Sequence, residues 1–241
     1  MRQFLFLKYV IIKGMENCLR KFKIFKNGFT LAEVLITLVI IGVVAALTIS
    51  AVINTYIESS TVAKVKKGLS ILGQAKKLAE TQNGSIDGWD FGEGDSALAA
   101  SQFWNYLKPH LSLVKECIGT TDCYQNTLYW LRGDVLANSY NTGAHYIKFI
   151  LADGSVMWFR TGAAGGAGKC SVGEGNVDNV CAIFWYDING IKKPNTLGKD
   201  IFLYMMSIDG VYPDSRACNK SGDGWGCSGY IIKHNNMNYL H

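Results

Sequence analysis

Twenty consecutive residues, Val34 to Ile53 (VLITLVIIGVVAALTISAVI), carry no charge, and no other feature narrows so far what this chain can fold into. At about 1.5 Å rise per residue, a helix of that length crosses the ~30 Å hydrocarbon core of a bilayer. A core helix in a soluble protein usually keeps a polar face, whereas this run has only scattered Thr and Ser. It is the one long apolar run in the sequence, so a single crossing is expected. Charge then sets the orientation. Residues 1–28 hold seven basic side chains and one acid, Glu16, while the remainder holds 17 basic and 18 acidic residues. The formal charge of +5 therefore resides in the N-terminal segment, which the positive-inside bias keeps cytoplasmic. The chain beyond Ile53 is then translocated, and its balanced charge gives no reason to expect nucleic acid as a partner.

The apolar run continues without a turn signal into an amphipathic pattern. Val62, Val65, Leu69, Leu72 and Ala79 recur at steps of three and four, with Lys64, Lys66, Lys67, Lys76 and Lys77 mostly off that stripe. No proline interrupts residues 29–82; Gly42, Gly68 and Gly73 are the points where the helix is softest. Asn83-Gly84 is a C-terminal stop. The pattern predicts one helix of about 50 residues, roughly 75–80 Å long. Its first half is apolar all round and belongs in lipid or against copies of itself; its second half packs on a domain. An ordinary secretory signal would instead place a small-residue cleavage site after the apolar stretch.

The residues just before the run are more specific. Lys26-Asn27-Gly28-Phe29-Thr30-Leu31-Ala32-Glu33-Val34-Leu35-Ile36 resembles the processing motif of type IV prepilins and type II secretion pseudopilins. The resemblance implies a peptidase that cuts after Gly28 and methylates the new amine on Phe29. It makes Glu33 the acid at the fifth position of the mature chain. Physical chemistry agrees with these roles. Glycine lets a protease approach the backbone closely. A lone carboxylate beside an apolar run is costly. In a filament, the Phe29 amine of one subunit can offset that cost by pairing with Glu33 of its neighbour, which would also set axial register. Taken alone, Glu33 also reads as an interfacial charge reaching toward headgroups. Two features depart from the family pattern. Many members carry a proline about twenty residues into the mature helix, where this chain has Ser50-Ala51, and a leader of 28 residues is long. Met15 offers a second start, with the leader MENCLRKFKIFKNG.

Cys18 lies in the leader, which leaves Cys117, Cys123, Cys170, Cys181, Cys218 and Cys227 in the translocated part. An even number there suggests disulfides. The spacing favours Cys117–Cys123, Cys170–Cys181 and Cys218–Cys227, one of fifteen connectivities. No C-x-x-C pair occurs, which argues against zinc. Residues 85–101 read as a loop, Ser101 to Leu113 as a short helix ending near Pro109, and Tyr146 to Arg160 as a hairpin turning at Asp153-Gly154. Gly162 to Gly168 reads as a flexible loop, Ala182–Tyr186 and Ile201–Ser207 as strands, and Tyr230–Lys233 as a last strand. The expected fold is α+β, a long N-terminal helix on an antiparallel sheet with disulfide-bonded loops, the pilin-like arrangement that the resemblance implies. The divisions are a leader at 1–28, a transmembrane or filament-core half-helix at 29–53, an amphipathic half-helix at 54–83, and an extracytoplasmic domain at 84–241.

Catalytic patterns are missing. The loop Gly162–Cys170 has Ala163 and Cys170 where a phosphate loop needs glycine and Ser or Thr; no G-x-S-x-G or H-E-x-x-H occurs. The segment 187–200 is richer in oxygen ligands: Asp187, Asn189 and Asp200, with Asn195, surround two glycines and a proline. It suits a hard cation such as calcium, or a tight Asn-Gly turn whose side chains bond the backbone. It is similar to the calcium-holding β-loop of some major pseudopilins in general style alone. The resemblance implies a structural subunit, not an enzyme. It would be anchored in the inner membrane and then placed in a periplasmic or extracellular filament. Its partners would be a prepilin peptidase, other pilin or pseudopilin subunits and an inner-membrane assembly platform. Removing 28 of 241 residues leaves 213, a size that leans toward a minor subunit. The alternative is a pilus-tip module for adhesion or DNA uptake, for which the six tryptophans supply aromatic surface if exposed.

Overall fold

The structure, a computed structural model, describes residues 29–90, 96–118, 124, 127–136, 145–161, 170 and 172–241. It divides into two compact units, Met1–Ile53 and Asn54–His241. Helix α1 (Leu31–Asn83) is 53 residues long, without a break. Of the described helices it alone is long and apolar enough to cross a membrane, with a mean hydropathy of 2.8 in its most apolar stretch and none of that stretch buried. It stops where Gly84 adopts φ 81° and donates its amide to the Glu80 carbonyl at 2.9 Å, a left-handed closure that glycine makes without strain.

Within the second unit, α1 presents Val62, Val65, Leu72, Ala75 and Ala79, all buried, to the sheet. Each large aliphatic side chain among them stabilises the fold by roughly 1.5–3 kcal/mol. Leu69 is partly buried on the same stripe. Lys76 departs from expectation: it lies on the buried face, its Nζ 2.8 Å from Glu80 Oε1 and 2.9 Å from the Ile208 carbonyl. Both contacts satisfy an ammonium that burial would otherwise penalise.

The sheet contains β1 (Leu113–Ile118), β2 (Ile147–Leu151), β3 (Val156–Thr161), β4 (Val172–Glu174), β5 (Val177–Asp187), β6 (Ile201–Ser207) and β7 (Val211–Pro213). All pairings are antiparallel, in the order β1-β2-β3-β5-β6-β7, with β4 paired to β5. β2 and β3 form the hairpin expected around Asp153-Gly154. One face, carrying Phe149, Met157, Phe159, Phe184, Tyr186, Phe202 and Tyr204, packs against the helices. α2 (Ser96–Leu107) lies there, with Trp104 stacked on Phe149 at 4.6 Å and Phe103 5.4 Å from Phe159.

The opposite face carries a second core that local sequence patterns did not lead one to expect. Trp158, Ile183, Trp185, Leu203 and Met205 are covered there by Tyr124, Leu128, Leu136 and the half-buried Trp225. The signal was present in IFLYMMS, a strand with no polar alternation, which is the pattern of a strand covered on both sides.

Two local expectations need correction. The helix expected over Ser101–Leu113, after a loop at 85–101, instead runs from Ser96 to Leu107, since the alanine-rich stretch before Ser101 is helix-favouring. Tyr230–Lys233 is not a strand but part of helix α3 (Cys227–His234), closed by Asn235 at φ 56°. A four-residue apolar run does not distinguish strand from helix by period. The glycine loop at 162–168 lies outside the described residues.

Gly68 of α1 sits against the sheet. A Cβ there would fall 2.5 Å from Tyr186 Cδ1 and 3.1 Å from the Tyr204 hydroxyl, whereas at Gly73 it would meet nothing within 4 Å. Helix propensity favours alanine over glycine by about 1 kcal/mol at either site. Gly73→Ala should therefore raise stability in chemical denaturation by about that amount. Gly68→Val should lower it by roughly 1–3 kcal/mol through overpacking against a buried ring.

Candidate functional site

The N-terminal residues are held by a local device. Thr30 precedes the first helical residue, and its amide and hydroxyl both donate to Glu33 Oε2, at 2.9 and 2.8 Å. The Glu33 amide returns the contact to Thr30 Oγ1 at 3.2 Å. This is a capping box, in which the third residue after a Thr cap satisfies donors that the helix leaves open. Its signature, T-L-A-E, is present in the sequence beside the processing motif that drew attention to Glu33. Phe29 is 84% exposed. Gly28, the residue expected to precede the scissile bond, lies outside the described residues.

Cysteine placement is direct where the chain is described. Cys170 is bonded to Cys181, and Cys218 to Cys227, with sequence separations of 11 and 9. The second bond ties the loop that carries Trp225 to the first residue of α3. Cys117 is also disulfide-bonded, while Cys123 lies outside the described residues.

The 187–200 segment brings Asp187, Asn189 and Asp200 together. Asp187, at the end of β5, is fully buried. Its Oδ2 accepts the Tyr124 hydroxyl at 2.5 Å and its Oδ1 accepts the Asn189 amide at 3.1 Å. Asp200 Oδ2 accepts the Asn195 amide at 2.8 Å and the Asn189 side-chain amide at 2.9 Å. Asp200 Oδ1 accepts the Thr196 amide at 2.6 Å. Asn189 Oδ1 is buried with no hydrogen-bond partner among the described residues. Among the described residues no three His, Cys, Asp or Glu side chains converge as a metal cluster. Burial pushes the Asp187 carboxyl up to about 8, against the lowering bond from Tyr124; the charge of Asp200 adds to the rise. Burial also raises Asp200, opposed by the Thr196 and Asn195 amides.

The tryptophans are mostly core. Trp89, Trp104, Trp158 and Trp185 are buried, and Trp130 and Trp225 are half-buried. Those last two rings meet edge-on at 5.5 Å, with Arg132 over one and Arg216 over the other. Among the described residues the four histidines sit on separate segments: before β1, before β2, at the end of α3 and at the last residue.

Comparison with known families finds a match at residues 25–49, to the model described as the prokaryotic N-terminal methylation motif. No curated protein and no solved structure matches the chain.

Asp187 makes stability pH-dependent. Its folded-state pKa of about 8 stands above the ordinary 3.8, so the protonated form is the one that folding favours. That contribution is complete below about pH 4 and is lost as pH rises toward about 8. In chelator, the melting temperature should fall across this window, and Asp187→Asn, which is neutral throughout, should flatten the fall.

Proposed function

We propose that this chain, whose methylation motif at residues 25–49 supports its recognition as a type IV pilin or pseudopilin, is a structural subunit of a type IV pilus or a type II secretion pseudopilus. The motif is the observation that carries the reading. It implies a prepilin peptidase that cuts between Gly28 and Phe29 and methylates Phe29, and it implies assembly with other subunits. The apolar, exposed stretch of α1 beginning a few residues later supports membrane anchoring before assembly and helix packing after it. In this reading the N-terminus faces the cytoplasm and residues 54–241 are extracytoplasmic, with an inner-membrane platform drawing the subunit into the filament. The motif suggests a structural role and not an enzymatic one.

Within the filament, Glu33 pairs with the methylated amine of a neighbouring Phe29. The capping box occupies Glu33 Oε2 with both Thr30 donors, so a test must separate the cap from the charge. Glu33→Gln keeps an oxygen for Thr30 and removes the charge. Mass spectrometry of the membrane fraction should find the mature terminus at a methylated Phe29 in wild type. The Gln variant should remain in the membrane and fall at least about tenfold in filaments, as loss of a buried charge partner predicts. A mature terminus beyond residue 50 overturns the subunit reading; normal assembly of Glu33→Gln overturns the pairing alone.

Calcium at the 187–200 loop is a separate proposal, motivated by the unpartnered Asn189 Oδ1 beside two buried carboxylates. Asp187, Asn189 and Asp200 would supply oxygens to the cation, which would offset the mutual repulsion of the acids. Calcium at ten times its dissociation constant should then stabilise the chelator-treated chain by about 1.4 kcal/mol, seen as a higher melting temperature. An unchanged melting temperature assigns the loop to hydrogen bonding alone.

A further inference from the structure

A cleft of about 650 Å³ opens beside the first helical residues after the apolar run. Its walls come from α1 at 54–64, from the loop between β5 and β6, and from the C-terminal Met237, Leu240 and His241. On the α1 wall, Tyr56 and Ile57 are 71% and 55% exposed. The loop that forms the second wall carries Ile191, 67% exposed, followed by the exposed Lys192 and Lys193, with exposed Lys199 further along. Asn189 holds this tip in place by donating its side-chain amide to the Lys193 carbonyl at 3.3 Å.

The acids nearby are engaged. Glu58 accepts the Met237 amide at 2.6 Å, and Asp187 and Asp200 are buried. The outward charge of the loop is therefore basic, around a protruding isoleucine. Asn54, on the same cleft, directly follows the apolar run that ends at Ile53. An aromatic ring, an exposed aliphatic side chain and flanking lysines just past a membrane span are the groups that settle at a bilayer interface.

We propose that this loop and the adjoining turn of α1 rest on anionic lipid headgroups of the membrane that α1 crosses, so that the domain docks on the bilayer before assembly. Ile191 and Ile57 enter the headgroup layer, and Lys192, Lys193 and Lys199 face lipid phosphates. The inference rests on reading residues 34–53 as a membrane span. Assembly into a filament would break these contacts, so the lipid surface competes with extraction of the subunit.

The test uses the full chain in vesicles of phosphatidylcholine alone or mixed with phosphatidylglycerol. Amine acetylation is read at each lysine by mass spectrometry, with Lys115 and Lys220, both exposed, as internal controls. A lysine attracted to an anionic surface gains about fivefold in local lipid contact. Labelling of Lys192, Lys193 and Lys199 should drop several-fold in the anionic vesicles and recover in high salt, while the controls stay constant. In the K192E/K193E variant the protection of Lys199 should disappear. A chain that floats with the vesicles but labels at these lysines as at Lys115 overturns the docking and leaves the span intact. A chain that does not float overturns the span, and the docking with it.

Discussion

The Tyr204 hydroxyl donates to the Val65 carbonyl at 2.6 Å, next to the point where Gly68 admits the Tyr186 ring. This contact fixes how closely α1 approaches the sheet, and the remaining packing depends on it. A helix carbonyl already engaged along its own axis has a second lone pair, so the hydroxyl adds a bond without taking one from the helix. Both tyrosines are fully buried, and burial raises their phenol pKa values, to about 12 for Tyr186 and well above the ordinary value for Tyr204. Both phenols therefore stay neutral across any physiological range, and Tyr204 keeps the proton that it donates to Val65. With α1 and α2 on one face, the strands gain a fully buried side, and the long loops close the other.

Much of this architecture was legible because its signals are long. The apolar run, the stripe from Val62 to Ala79 and the Asn83-Gly84 stop each span several turns or a defined conformation, so local chance does not imitate them. The Asp153-Gly154 hairpin was readable for the same reason: two alternating runs flank a turn dipeptide. Short elements were not. Tyr230-Ile231-Ile232-Lys233 is too brief to show a period, and its helical state depends on packing against β6 and β7, where Ser228 Oγ donates to the Leu203 carbonyl at 2.6 Å. The second core depends on residues far apart in sequence, such as Tyr124 on Trp158 at 4.9 Å, which no local pattern encodes.

The candidate site divides along the same line. Glu33 was found from its motif, yet its bond to Thr30 is a purely local cap that the sequence also spells out. Asp187, Asn189 and Asp200 were found from their oxygen content and do meet. What sequence could not supply was their protonation, since that depends on burial, which outweighs the lowering bond that Asp187 accepts from Tyr124. Lys76 shows the converse: its spacing puts it next to the apolar stripe, and the Ile208 carbonyl, 132 residues away, makes its burial tolerable.

The dock between α1 and the sheet also sets the order of events as the chain emerges. Val65 and Tyr204 are 139 residues apart, so the helix face that Tyr204 seals is made long before its cover. Closing a loop of that length is slow compared with forming the helix, because the entropy of bringing the ends together precedes any reward from contact. The Cys170–Cys181 and Cys218–Cys227 disulfides, with separations of 11 and 9, close around short segments and need no such wait. The folding chain thus passes through an interval with its staples available and the Val62–Ala79 stripe bare. That interval is when it is most open to premature self-association and to proteolysis.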